Sequence, residues 1–142
     1  MKKILWITCA IFMLGAIPLH SAPEGSEISV RGILILASNN GDGFDSALRP
    51  YQSQLRRLNF KSYRVIGNGG TRIRVSGEGK INLGQGFSIE LKASAAPGKR
   101  IPVDIRWMEK RKVLMHTSGT LPFVMGGPRY EDGNLILVLD GR

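Results

Sequence analysis

The chain has 142 residues, 42% of them hydrophobic, and its 20 lysines and arginines outnumber its 11 acidic residues, so the formal net charge is +9. This length suits one modest domain with a single core. A single cysteine excludes a disulfide framework. The positive charge favours an anionic partner, although a basic surface that serves only solubility explains it equally well.

The first 22 residues have the three parts of a secretory signal. Lys2 and Lys3 precede an uninterrupted apolar run over residues 4–19, and small or polar residues follow. We predict a signal peptide over residues 1–22, with cleavage near Ser21 or Ala22. The apolar run is shorter than the roughly 20 residues of a spanning helix, and an uncleaved N-terminal anchor is the alternative.

Cleavage would leave residues 23–142 as a single small α+β domain that is periplasmic or extracellular. The only cysteine, Cys9, lies in the signal, so the remaining domain would have no thiolate nucleophile and no zinc–sulfur site. The loss of Lys2 and Lys3 lowers the formal charge from +9 to +7. An exported basic protein favours anionic envelope polymers, lipid head groups or an acidic partner over nucleic acid. A membrane contact is expected only through an uncleaved signal.

The first element of the domain is a strand over residues 28–37, ISVRGILILA. Its alternation gives way to a continuous apolar run, which predicts a second half buried on both faces, near the centre of a sheet. A helix is predicted over residues 45–58, after the loop SNNGDGFDS. Apolar residues on one face of it recur at steps of three and four: Leu48, Tyr51, Leu55 and Leu58.

The loop between this strand and this helix has two chemical interpretations and one structural interpretation. A glycine-bearing loop before a helix suits phosphate, but the loop lacks the known phosphate-loop spacings and has no basic residue before Arg49. Oxygens of Asn39, Asn40, Asp42 and Asp45 could hold a calcium ion, although their spacing departs from that of a calcium loop. Asp45 also stands where an N-cap belongs. We expect a corner and a helix cap, with no metal or cofactor.

After Asn59 the hydrophobic period changes to two and glycine-rich turns recur, which is typical of antiparallel sheets. GNGG is predicted to be one such turn, and GGPRYEDGN the loop of a final hairpin. The predicted strands are residues 62–66, 71–75, 81–83, 87–93, 101–107, 113–117, 121–125 and 134–139.

The fold class that follows is α+β, with seven to nine strands. It is a mainly antiparallel twisted sheet or partial β-sandwich with one amphipathic helix packed on it. The first and last strands are both fully apolar, so we expect them to be neighbours at the centre of the sheet.

Catalytic patterns are weak in this sequence. His116 is the only histidine of the predicted mature chain, and we interpret it as a surface or edge-strand residue. Glu90 and Asp104 could pair for acid–base chemistry, but Lys92 and Arg106 on the same strands make cross-strand ion pairs the simpler explanation. Hydrolase motifs are absent from the sequence. We predict a protein that is not an enzyme and has no catalytic residue.

Basic residues on outward strand positions and in turns are the remaining candidates for function. They form the predicted binding surface: Arg72, Arg74, Lys110, Arg111, Lys112, Arg129 and Tyr130. We expect a non-enzymatic envelope protein that binds an anionic polymer or a protein partner through this surface. The alternative is an accessory or assembly subunit of an envelope or secretion complex that pairs through a strand edge. Oligomeric state has no signal in the sequence.

Three stretches carry a resemblance: ILASNNGDGFDSAL, LRRLNFKSYRVI and GGPRYEDGNLILVL. In these the chain resembles a group of small, uncharacterised exported bacterial proteins with an "ILASN" strand, a "D-x-x-L" helix start and a closing "GGP" hairpin. The resemblance covers nearly all of the predicted mature region. It implies one domain and export, and it brings no activity, cofactor or catalytic residue.

Overall fold

The computed structural model describes residues 26–95 and 100–142. The predicted signal peptide, residues 1–22, lies outside these ranges and stays a prediction. No helix within the two described ranges has the length and apolar character needed to cross a membrane.

Nine strands lie within the described residues, together with one helical stretch that joins a 3₁₀ turn, a short α-helix and a second 3₁₀ turn over residues 46–58. We call this stretch the helical segment. The strands are β1 Glu27–Ser38, β2 Gly43–Phe44, β3 Ser62–Arg74, β4 Glu78–Gly84, β5 Phe87–Ala93, β6 Ile101–Glu109, β7 Lys112–Leu121, β8 Phe123–Tyr130 and β9 Gly133–Gly141.

The strands form two sheets, one of five strands in the order β2-β3-β1-β9-β8 and one of four in the order β4-β5-β6-β7. All pairings are antiparallel except that of the two-residue β2 with β3. This confirms the predicted α+β class. The first and last apolar strands, β1 and β9, are paired at the centre of the larger sheet, as predicted.

Two apolar clusters explain why β1 and β9 are so hydrophobic. The main core lies between the two sheets and includes Leu34 of β1 and Leu137 of β9. A second cluster lies on the outer face of the larger sheet and includes Ile35 and Val138 of the same strands. Because the two faces of these strands pack against different layers, a continuous apolar run is required there.

The helical segment covers the second cluster. Leu48 and Leu55 are fully buried against the sheet, and each contributes about 1.5–3 kcal/mol by its removal from water. Leu58 was predicted to share this buried face, and that prediction is wrong because it is 36% exposed. The segment tightens into a 3₁₀ turn at Arg56–Leu58 and ends at Asn59 in a left-handed conformation, so Leu58 leaves the buried stripe.

The sequence GNGG was predicted to be a turn, but it lies inside β3, which runs unbroken for 13 residues. Its glycines allow β4 to pass close to the inner face of β3. A Cβ atom at Gly67 would lie 3.0 Å from the carbonyl carbon of Leu83, and one at Gly69 would lie 3.0 Å from Cγ2 of Ile81. Glycine is needed at these positions because two backbones approach closely. In the sequence, such a cluster of glycines looks the same as a turn.

Part of the predicted final loop is also strand. β8 continues to Tyr130 through a bulge between Gly126 and Arg129, and the chain reverses over two residues, Glu131 and Asp132. The bulge brings Gly127 over the ring of Trp107, where a Cβ atom would lie 2.5 Å from Cη2. The second glycine of GGP is thus a packing position.

We expect Gly127→Ala to lower the free energy of unfolding by about 1–3 kcal/mol, because the added methyl group overpacks the fully buried Trp107. Gly126→Ala is the matched control, since a Cβ atom there meets nothing within 4 Å. Its effect should stay within about 0.5 kcal/mol. Urea denaturation measures both, and equal losses in the two variants would contradict this account of the packing.

Candidate anion-binding groove

The helical segment covers only part of the outer face of the five-stranded sheet. Outward residues in the second half of β1 are apolar and lie beneath it, whereas Ser29 and Arg31 in the first half are exposed. The uncovered part is the floor of an open groove of about 1060 Å³. Pro50, Tyr51 and Gln54 of the helical segment form one wall of this groove.

Strand register brings three arginines into this groove. Ser29 is the cross-strand partner of Arg72 on β3, and on its other side it exchanges two backbone hydrogen bonds of 2.9 Å with Arg142. Two residues further along β1, Arg31 lies between Gly70 on β3 and Asp140 on β9. Residues two apart on a strand point to the same face, so the side chains of Arg31, Arg72 and Arg142 all line the groove.

Within the part of the chain that the structure describes, these arginines form no ion pair within 4.0 Å. Among the described residues, the ion pair within 4.0 Å is Arg106–Glu90, which lies on the other sheet. The acid that lines the groove is Asp140, and its Oδ2 accepts a hydrogen bond of 3.1 Å from the hydroxyl of Tyr51. Three guanidinium groups are therefore available for an anion from solution.

Tyr51 is the titratable group that this surface perturbs. Burial raises the pKa of the Tyr51 phenol, and the hydrogen bond to Asp140 and the negative charge of that carboxylate raise it further. The positive charges of Arg31 and Arg142 lower the same pKa by a smaller amount. At neutral pH Tyr51 is a neutral donor that holds Asp140 in place.

The structure divides the predicted binding surface between two places. Arg72 lines the groove. Arg74, the next outward residue of β3, is the cross-strand partner of Glu27 and lies outside the groove lining. The others lie in or beside two hairpin turns: Lys110, Arg111 and Lys112 at the β6–β7 turn, and Arg129 and Tyr130 at the end of β8.

These hairpin turns lie at the opposite end of the sandwich from the groove. Arg72 pairs near the beginning of β1, whereas Ser38 at the end of β1 pairs with β9 beside the β8–β9 turn. At that turn the ring of Tyr130 contacts the ring of Phe87, with centroids 5.5 Å apart. Phe87 is the cross-strand partner of Glu109, which adjoins the basic β6–β7 turn. Tyr130 is therefore half-buried against the main core.

Four groove residues were missed from sequence: Arg31, Tyr51, Asp140 and Arg142. Arg31 carried a signal, because it is a cation at an outward position of a strand that is otherwise apolar from that point onward. Tyr51 was assigned to the buried face of the helix and lies at its margin. Asp140 and Arg142 gave no signal, since their proximity to β1 depends on the pairing of the two ends of the domain.

The glycine-rich loop after β1 is a corner with a helix cap. Oδ1 of Asp45 accepts a hydrogen bond of 3.0 Å from the amide of Ala47, which confirms the predicted N-cap. The Ser38 hydroxyl accepts a hydrogen bond of 3.0 Å from the amide of Asn40 and so holds the turn. In residues 26–95 and 100–142, no group of three or more His, Cys, Asp or Glu could hold a metal ion.

Glu90 and Asp104 lie on the solvent face of the four-stranded sheet, and each has a partner on a neighbouring strand. Glu90 lies 3.4 Å from Arg106, which confirms the predicted cross-strand pair. The other expected ion pair is wrong: Asp104 lies opposite Lys92 but is not within 4.0 Å of its ammonium group, and it accepts a hydrogen bond from the hydroxyl of Ser118. The Glu90–Arg106 pair is about half exposed, so its contribution to stability is about 0–1 kcal/mol.

Comparisons with protein-family models, with curated proteins and with solved structures found no match to this chain. The fold and the groove define a class of protein, a small two-sheet β protein with a helical cover and an arginine-lined surface. The resemblance to small exported bacterial proteins stays an expectation.

We expect stability at alkaline pH to depend on Tyr51. Its pKa is raised above the ordinary 10.0 in the folded protein, so the folded state holds this proton more tightly than the unfolded state. This contribution is complete below about pH 10 and is lost as the pH rises through the folded-state pKa. Urea denaturation should show a steeper alkaline loss of stability in the wild type than in Tyr51→Phe.

Near neutral pH, Tyr51→Phe should lower the free energy of unfolding by about 0.5–1.5 kcal/mol through the lost hydrogen bond to Asp140. Tyr130→Phe, at the other end of the sandwich, is the control and should keep the steep alkaline loss. The same alkaline slope in the wild type and in Tyr51→Phe would contradict the assignment.

Proposed function

We propose that this chain is an exported, non-enzymatic envelope protein that binds an anionic polymer in the groove lined by Arg31, Arg72 and Arg142. One observation carries the proposal: three guanidinium groups that have no ion-pair partner among residues 26–95 and 100–142 line one open groove whose acid, Asp140, is held by Tyr51. Each guanidinium offers a planar set of donors that matches an anionic oxygen pair, and such charge-assisted bonds are the strong ones.

The shape of the groove supports a polymer as its ligand. It is open along the face of the sheet, and its floor consists of backbone and side chains from β3, β1 and β9. An extended chain can cross such a groove with its ends in solvent, whereas a small molecule would remain largely hydrated there. Gln54 and Asn68 add neutral hydrogen-bonding groups beside the arginines.

The framework of the groove supports binding without a large loss of entropy. Arg31 belongs to a strand that is paired on both sides, and the backbones of Ser29 and Arg142 are joined by two hydrogen bonds. The side chains start from fixed positions, so binding has to order only the arginine side chains and the ligand.

Export rests on the N-terminal sequence, in which two lysines and an apolar run precede the domain. Anionic polysaccharides and other anionic polymers of the envelope are the partners that such a location offers to a protein with a formal charge of +7 after cleavage.

A salt-dependent binding measurement tests the proposal. We expect the protein to be retained on an immobilised anionic polysaccharide and released by rising sodium chloride. Arg31→Gln with Arg72→Gln should weaken binding about 10- to 100-fold, because two charge-assisted hydrogen-bonding groups are lost. The control replaces Lys110, Arg111 and Lys112 by glutamine, which removes more charge but leaves the groove intact. This triple variant should stay within about threefold of the wild type.

Two results would refute the proposal. Retention that is indifferent to salt would show that charge does not drive binding. A loss in the triple variant as large as that in the double variant would show that net charge, rather than the groove, determines affinity. Circular dichroism and thermal unfolding of each variant confirm that the comparison is between folded proteins.

A second candidate function is an accessory or assembly subunit that pairs through a strand edge. Within the described residues, β7 pairs only with β6, and β8 pairs only with β9. Both are edge strands among the described residues and are joined through Pro122, so one edge of each has no partner strand there. An unpaired strand edge is a template for an extended segment of another protein.

Site-specific crosslinking in intact cells tests the second candidate. A photoreactive residue at His116, which is exposed on β7, should capture one stoichiometric protein partner if the edge is used. The same residue at Ser53, exposed on the helical segment, is the control and should capture none. Equal capture at the two positions, or capture of none at His116, would count against an assembly role.

A further inference from the structure

The three groove arginines are arranged around a single point of the sheet. Arg72 and Arg142 flank Ser29 in one cross-strand row, and Arg31 follows two residues along the central strand. With strands about 4.8 Å apart and a rise of about 3.3 Å per residue, the three Cα atoms lie roughly 5 Å in projection from one common point. An arginine side chain is long enough for all three guanidinium groups to meet above it.

We infer that this point binds one tetrahedral oxyanion, a sulfate or phosphate monoester carried by a hydroxyl-rich polymer, in preference to a carboxylate. The inference rests on the proposed function and names the chemical class of its ligand. A carboxylate offers two oxygens, whereas a sulfate or phosphate monoester offers three terminal oxygens, one for each guanidinium group. Three arginines, one on β1, one on β3 and one directly after β9, match the larger number of oxygens.

Asp140 limits the site to one anionic group. It lies beside Arg31 in the adjacent row, on the β9 side, and the Tyr51 hydroxyl holds it by the 3.1 Å hydrogen bond. A second anion at that position would be repelled by the carboxylate of Asp140. The groove thus favours a polymer whose anionic substituents are widely spaced, and it disfavours a polymer with an anionic group on every unit.

The opposite side of Arg31 provides space and neutral polar groups. Gly70 is the cross-strand partner of Arg31 on β3, so no side chain fills the floor there. Asn68 and Gln54 also line the groove, and their amides can both donate and accept hydrogen bonds. Sugar hydroxyls match this chemistry, which supports a substituted polysaccharide as the carrier of the oxyanion.

Dextrans that share one backbone and differ only in the substituent provide the test. Sulfated, phosphorylated and carboxymethylated dextrans of matched charge density are compared by calorimetry with the full chain, with unmodified dextran as the blank. We expect the sulfated and phosphorylated polymers to bind about tenfold or more tightly than the carboxymethylated one, since each lets a third guanidinium form a charge-assisted bond.

Variants assign this preference to the groove. Arg31→Gln should reduce the ratio of affinities to near one. Arg72→Gln should do the same, and it replaces Arg31→Gln in the test if that variant does not fold. Arg74→Gln is the matched control, because Arg74 lies on the same face of β3 but outside the groove lining, opposite Glu27. It should keep the preference at wild-type size.

The outcomes separate this inference from the proposed function. Equal affinity for the carboxymethylated and sulfated polymers would overturn the inference and leave polymer binding in place. A preference for phosphate without one for sulfate would overturn it as well, because the extra charge of phosphate would then be the cause. Binding of none of the three charged polymers would overturn both the inference and the proposed function.

Discussion

The antiparallel pairing of β1 with β9 is the interaction on which the rest of this structure depends. The two strands lie at the centre of the five-stranded sheet, and their apolar residues on one face form the core between the sheets. On the other face, the apolar part of β1 requires a cover, which Leu48 and Leu55 of the helical segment provide. A cover this short leaves the polar beginning of β1 open to solvent, and that uncovered area is the groove.

The groove therefore results from the same packing that stabilises the fold. Arg31 and Asp140 are adjacent because β1 and β9 are paired, and Tyr51 reaches Asp140 because the helical segment packs beside them. Tyr63 supports this arrangement from below: its hydroxyl donates to the carbonyl of Leu55 over 2.6 Å and accepts from the amide of Phe60 over 3.2 Å. These contacts hold the end of the helical segment on the sheet and so hold the wall of the groove.

Patterns in the sequence correctly predicted the elements that depend on interactions between residues close together in the chain. The helix start at Asp45 follows from its capping side chain, and the central position of β1 follows from an apolar run that needs cover on two faces. Predictions failed where a distant strand decides the conformation. Gly67 was interpreted as a turn residue because glycine is common in turns, but the backbone of β4 passes over it and no local pattern reports that approach.

By itself, the sequence determined the class of fold, the central strands, the capped helix and an excess of positive charge, because periodicity, capping and composition act between near neighbours in the chain. Only the tertiary structure decided which cations lie near one another. Arg72 and Arg142 flank Ser29, while Lys110 and Arg129 lie at the other end of the sandwich. Register between strands far apart in sequence sets this grouping, since a shift of one residue would turn each arginine to the opposite face.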